Sequence, residues 1–215
     1  MRSSLRTPSH VNIALVNELA IFANQLGVNI WESIEAASTK PFGFMKFTPG
    51  PGVGGHCLPV EPSYLSWQVR RQLGQNFRFV ELANDINEHM PDYVVQRLTL
   101  MLNRDSKSLR GSRVLLVGLA YKKNTGDIRE APSLRLVELL SEYGAVLSAV
   151  DDHVQPNHWP LGVCKTELHA DSLSCYDAAV VITDHDNLDL VVLEDTALPV
   201  LDTRDRIHSS NVERL

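Results

Sequence analysis

The chain has 215 residues, 44% hydrophobic and 21% charged, enough apolar content for a sizeable core in one large domain or, as the patterning below suggests, two smaller ones. A formal charge of -6 without a basic block gives no support to a nucleic-acid surface. No apolar run is long enough to span a membrane, the start Met1-Arg2-Ser3-Ser4-Leu5-Arg6 lacks the apolar stretch of a secretory signal, and Cys57, Cys164 and Cys175 are too widely spaced for a disulfide framework, so a reducing, cytoplasmic setting is expected.

Thr7-Pro8 reads as the N-cap and first residue of a helix running through Val11 to Ala23, which Gly27 can end. A second helix is expected after Asn29, which has capping-box spacing to Glu32. Ile30, Trp31, Ile34 and Ala37 form its apolar side, and Lys40-Pro41 stops it. Next comes Pro49-Gly50-Pro51-Gly52-Val53-Gly54-Gly55-His56-Cys57-Leu58-Pro59-Val60-Glu61-Pro62, a bend of glycine and proline holding one cysteine. Its glycines remove side-chain bulk, so a substrate could approach backbone N–H groups and the Cys57 sulfur together. A tight turn around a buried thiol is the alternative. Helices are then expected from Pro62 to Leu73 and from Phe77 to Leu102, the latter packing through Leu82, Ile86, Val94, Val95 and Leu98 with a kink or restart at Pro91.

From Arg113 the period changes. Arg113 to Ala120 is a continuous apolar run of the kind buried in a parallel sheet, followed by a loop, a helix from Pro132 to Tyr143 capped by Gly144, and a strand from Ala145 to Val150. Further strands are expected at Ala178 to Thr183 and Leu198 to Asp202, with Asp151 to Tyr176 mostly loop. The fold class is therefore α/β: a helical domain over residues 1–104 followed by a small Rossmann-like parallel-sheet domain over 110–215. Gly118-Leu119-Ala120-Tyr121-Lys122-Lys123 lacks the three closely spaced glycines of a dinucleotide fingerprint. Lys122, Lys123, Asp127, Arg129 and Glu130 fall where open α/β sheets bind ligands; the cations would suit an anionic ligand, or the set is a group of loop salt bridges. Cys164, His169 and Cys175 are too loosely spaced for a metal cluster.

Four segments resemble, in order, the motifs of the UDP-glucose/GDP-mannose dehydrogenase family, and among its members the UDP-N-acetylglucosamine and UDP-N-acetylmannosamine 6-dehydrogenases. These are Asn12-Ile13-Ala14-Leu15-Val16-Asn17-Glu18-Leu19, the glycine bend ending in Cys57, Tyr121-Lys122-Lys123-Asn124-Thr125-Gly126-Asp127-Ile128-Arg129-Glu130, and Asp202-Thr203-Arg204. The resemblance implies NAD-dependent oxidation of a sugar C6 alcohol to a carboxylate through a thiohemiacetal and a thioester on Cys57. Glu61 stands where the family has an aspartate that orients or activates water. Gly50, Gly52, Val53, Gly54 and Gly55 would wrap the substrate, Lys122 and Arg204 would hold a UDP-N-acetyl-hexosamine, and Arg129 would touch the cofactor. His56 beside Cys57 would at most influence its ionisation. The central helices imply a homodimer.

The match starts at the central helix, so the family's N-terminal NAD-binding domain is expected to be absent. Backward alignment puts Arg2 and Arg6 where the family has an active-site lysine and asparagine, and Asn124, Gly126 and Asp205 also depart from the pattern. The chain is thus read as the substrate-binding and dimerising half of a UDP-N-acetyl-sugar dehydrogenase, or alternatively as a noncatalytic UDP-sugar-binding or assembly protein derived from it.

Overall fold

The structure, a computed structural model, describes residues 7–55, 57–194 and 196–215; for residues 57–60 only the backbone is described. Four helices come first: α1 (Thr7–Gln25), α2 (Ile30–Ser38), α3 (Cys57–Leu73) and α4 (Arg78–Arg104). The buried face of α1 carries small or polar residues, His10, Ala14, Asn17, Ala20 and Ala23, at steps of three or four, which lets it lie close to α4. Thr7, expected as the cap, is itself helical. The helix closes where Val28 N–H reaches back to the Ala23 carbonyl at 2.8 Å. Asn29 caps α2 as expected, its side-chain oxygen accepting from the N–H groups of Trp31 (3.0 Å) and Glu32 (3.4 Å). The return contact runs from the Asn29 amide to Glu32 Oε1 at 2.8 Å, not to the cap backbone.

Two expectations need correction here. Helix α3 spans Cys57–Leu73, so the cysteine lies in a helix that extends five residues ahead of Pro62 and does not sit inside the bend. Pro59 costs little near the start of a helix, where N–H groups have no internal partner, and the helix runs on through Pro62, which removes one internal N–H donor. In α4 the helix continues through Pro91, and Leu82, expected inside, is exposed while Val80 and Ala83 take the interior. The Asn87 carbonyl, deprived by Pro91 of its helical donor, faces the glycine bend at Gly52.

The second half is a six-stranded, all-parallel sheet of β1 (Arg113–Val117), β2 (Val146–Val150), β3 (Val163–Lys165), β4 (Ala178–Val181), β5 (Val200–Asp202) and β6 (Val212–Arg214), with α5 (Pro132–Glu142) after β1 and the single turn α6 (Ala170–Leu173) before β4. The order β3-β2-β1-β4-β5-β6 is that of a doubly wound sheet, in which successive strands are added first on one side of β1 and then, from β4, on the other. Both faces are covered, which explains the unbroken apolar run in β1. Val114 and Leu116 join Leu98, Leu102, Leu136 and Leu140 on the side of α4 and α5, whereas Leu115 and Val117 join Leu173, Leu193 and Ile207 on the other. β1 and β4 stop at Val117 and Val181, sooner than expected, and two strands were not expected at all: β3 lies in the supposed loop and β6 near the end.

The helices and the sheet are tied at the far edge. Arg97 Nη2 donates to Glu213 at 3.0 Å and to the Arg214 carbonyl at 3.3 Å, and Trp31 Nε1 donates to the Leu215 carbonyl at 2.7 Å. Among the described residues, no helix is long and apolar enough to cross a membrane.

Candidate functional site

A cleft of about 320 Å³ opens beyond the C-terminal ends of β1 and β5, the edge at which such sheets bind ligands. One wall is the segment from Lys46 to Gly54 with Ile13 of α1 beneath it, and the other is Tyr121, Lys122 and Arg204. Of the residues expected to hold substrate, Gly50, Gly52, Val53, Gly54, Lys122 and Arg204 all line this one cleft, although they come from both halves of the chain.

The glycine wall is placed by α1. Asn17, fully buried, accepts the Gly50 N–H on its Oδ1 at 2.9 Å and donates through Nδ2 to Asn87 Oδ1 at 2.9 Å; Asn87 in turn donates to the His10 carbonyl at 3.4 Å. Because every polar atom of such a buried chain has a specific partner, it fixes the bend in one position. Sequence reasoning saw Asn17 only as part of a motif; the signal available was a polar residue on an otherwise small, buried helix face. Glycine is needed here by contact. A Cβ on Gly54 would lie 2.7 Å from Tyr121 Cβ, 2.8 Å from the Glu130 carbonyl and 2.9 Å from Pro132 Cδ. Gly55 lies against the Tyr121 ring, and its N–H bonds the Arg129 carbonyl at 3.3 Å.

Arg204 is aimed by Asp202 at the end of β5. The Asp202 carboxylate takes the N–H groups of Arg204 (2.8 Å), Arg206 (2.6 Å) and Ile207 (2.8 Å), folding the chain so that residue 204 turns back over the sheet. Burial raises the Asp202 pKa, with these three amides pulling the other way. Arg204 Nε donates to the Ile182 carbonyl at 2.7 Å, and a Cβ on Gly50 would sit 2.8 Å from Nη1, so the guanidinium lies on the bare Gly50 backbone. Burial lowers the pKa of this guanidinium while Asp184 and Asp202 hold it up, and an arginine remains charged. Lys122 is exposed and has no ion-pair partner among the described residues, whereas Lys123 beside it turns away to Asp186 at 2.5 Å and Asp184 at 3.7 Å. The third cation, Lys46, pairs with Glu35 outside the lining. The cleft therefore presents lysine, arginine and two aromatic rings, Phe47 and Tyr121, with no carboxylate among its lining residues.

The remaining expected residues fall elsewhere. Cys57 lies near the start of α3, with Glu61 one turn further along the same helix, half-buried; the Cys57 side chain, His56, Arg2 and Arg6 lie outside the described residues. Arg129 does not reach the cleft. Its Nε and Nη2 bind Asp127 at 3.0 and 2.7 Å, and Arg129 holds that carboxyl down at about 2 through these bonds and its backbone N–H. The turn after β1 does not fit a dinucleotide either. Leu119 and Ala120 both donate their N–H groups to the buried Asp151 side chain, so the amides that would hold a pyrophosphate are taken. Cys164 and Cys175 are exposed and unbonded, and among the described residues no group of three His, Cys, Asp or Glu side chains is placed to hold a metal.

Comparison with known proteins points the same way. Residues 6–89 match the UDP-glucose/GDP-mannose dehydrogenase family, central domain, and residues 115–208 match the same family's UDP binding domain. The chain belongs to this family. A UDP-N-acetyl-D-mannosamine dehydrogenase of Methanococcus maripaludis strain C7 is 34% identical over 176 residues, covering 82% of this chain and 38% of that protein. The Escherichia coli K12 enzyme of the same name is 31% identical over 190 residues, or 84% and 43% of the two chains. The solved UDP-D-ManNAc dehydrogenase of Pyrococcus horikoshii superposes with a TM-score of 0.80 at 30% identity over 99% of this chain and 49% of its own. The chain thus spans about two-fifths to half the length of these family members.

Proposed function

We propose that this chain is the substrate-binding and subunit-pairing half of a UDP-N-acetyl-sugar 6-dehydrogenase, with residues 1–104 as its helical domain and 110–215 as its UDP-sugar domain. The observation that carries the reading is the cleft, in which Lys122 and the Arg204 fork face the glycine wall with no carboxylate between them. A diphosphate suits such a pair, since arginine offers it parallel N–H donors and lysine a compact charge. Tyr121 and Phe47 supply flat apolar surface for a base or sugar ring. On this reading Cys57 adds to a C6 aldehyde as a thiohemiacetal, and Glu61 orients the water that releases the acid from the later thioester. NAD is the hydride acceptor that the family likeness implies; the turn after β1 does not seat it, and no step through it is assigned to these residues.

Calorimetric titration of the chain with UDP-N-acetylmannosamine, with UDP-N-acetylglucosamine and separately with NAD tests the proposal. Either sugar is expected to bind and NAD is not. Failure of both UDP-sugars to bind would remove the function proposed. Arginine at Arg2 and Arg6 favours the second reading, a binding or assembly protein without turnover. Sugar-dependent NADH formation by the pure chain, abolished by Cys57→Ala, would exclude that reading.

Pairing of two copies is supported by α1. Leu15, Leu19 and Phe22 recur at steps of four and three and are 44% to 52% exposed, an unfilled seam of coiled-coil spacing that Leu26, in the turn just after the helix, continues at 77% exposed. Leu19→Asp would place a charge in the middle of that seam. Sedimentation at micromolar concentration is expected to find the unaltered chain dimeric and the variant monomeric; equal masses would count against a helical dimer.

A further inference from the structure

The turn that brings Tyr121 and Lys122 to the cleft is held from behind by a buried pair that the proposed chemistry does not use. Asp151, at the end of β2, accepts on Oδ2 the N–H groups of Leu119 at 2.7 Å and Ala120 at 3.0 Å, and on the same oxygen meets His185 Nε2 at 3.0 Å. His185 is 2% exposed, and its Nδ1 lies 2.9 Å from the backbone nitrogen of Asn124. That N–H can only donate, so Nδ1 is the bare acceptor and Nε2 carries the proton toward Asp151; a single neutral tautomer serves both contacts. The Asp151 carboxyl is driven up by burial, but the hydrogen bond from His185 and the amides of Leu119 and Ala120 outweigh this and bring it to about 2, so it is a charged acceptor at neutral pH. The His153 ring lies against His185 with centroids 4.6 Å apart. At the exposed side, mutual bonds between the Asn124 amide and Asp186, at 2.5 and 3.0 Å, add to the hold on Asn124.

We infer that His185 is a positioning residue: by donating to Asp151 and accepting from Asn124 it pins both ends of the turn 119–124 and so aims Lys122 into the cleft. The link from this turn to nucleotide affinity rests on the proposal that the cleft takes a UDP-sugar; the order of the turn itself does not.

Two variants separate positioning from simple core packing. His185→Asn places an amide oxygen near the Nδ1 position and keeps the acceptor for Asn124, but cannot reach Asp151. His185→Gln extends an N–H to Asp151 and leaves Asn124 without its acceptor. With the full chain, UDP affinity by calorimetry, backbone amide exchange and thermal midpoint would be measured together. In His185→Gln the Asn124 amide is expected to exchange about tenfold faster and UDP to bind about five- to tenfold more weakly, while His185→Asn keeps Asn124 exchange within about twofold of the parent and instead speeds exchange of the Leu119 and Ala120 amides, whose acceptor Asp151 has lost its histidine donor. Unchanged Asn124 exchange in His185→Gln overturns the inference, as do equal losses in the two variants that follow their thermal midpoints. A parent chain that does not bind UDP would refute the reading of the cleft, with Asn124 exchange still deciding the positioning role. If neither variant folds, the nitrogen-15 spectrum of the parent decides: a bare Nδ1 and protonated Nε2 on His185 are expected, and a protonated Nδ1 overturns the assignment.

Discussion

Arg204→Ala is expected to weaken UDP binding roughly 100-fold, because it removes a charge-assisted fork from a partly desolvated wall, where such hydrogen bonds are worth about 1.5–3 kcal/mol. The turn that carries the residue should survive the change. Its geometry depends on the Asp202 carboxylate and three backbone N–H groups, none of which belongs to the Arg204 side chain beyond Cβ. What the fold loses is the bond from Nε to the Ile182 carbonyl, which costs about 1 kcal/mol and a few degrees of thermal midpoint. Arg204→Lys restores the charge without the fork and is expected to fall between the parent and alanine. Calorimetry with UDP measures all three proteins, and an affinity within twofold of the parent for Arg204→Ala would remove Arg204 from the site.

The largest effect on stability is expected from Gly118→Ala. Gly118 has φ +80, and a Cβ there would lie 2.2 Å from the Thr183 carbonyl oxygen and 2.7 Å from Thr183 Cβ, with Thr183 buried just past the end of β4. The left-handed backbone costs an alanine about 1–2 kcal/mol and overpacking a further 1–3 kcal/mol, which together lower the thermal midpoint by roughly 10 °C in a chain of this size. Gly111→Ala is the matched control. Its φ is +82, but nothing lies within 4 Å of the added carbon, so only the backbone cost applies. Equal losses for the two substitutions would show that β1 and β4 can separate at this point without penalty.

Gly118 also illustrates how local pattern and tertiary role diverge. A glycine closing a buried strand is what a nucleotide-binding turn would show, and the missing second and third glycines argue against that use. The structure supplies another reason for it: the chain of β1 must pass within touching distance of Thr183 at the point where the strand order reverses. Arg129 shows the opposite case. Two readings were open for the charged residues after β1, an anion site or loop salt bridges, and adjacent members of the set divide between them. Lys122 faces the cleft, while Lys123 and Arg129 are tied to carboxylates. Neighbours in a loop point in different directions, and spacing alone carries no information about which one turns toward a ligand.

What could be read from the chain itself rests on short-range physics. Asn29 caps α2 because a side chain reaches only the next few amides, and the apolar run in β1 signals a strand covered on both faces wherever its neighbours come from. The motif order was legible for the same reason, since each motif is a run of neighbouring residues. Folding in three dimensions decided which of these meet. Gly50 touches Arg204 and Asn17 because the sheet order and the packing of α1 on α4 bring distant segments together. The short strands β3 and β6, too brief to show a period, form because β2 and β5 each offer a free edge of the sheet for pairing.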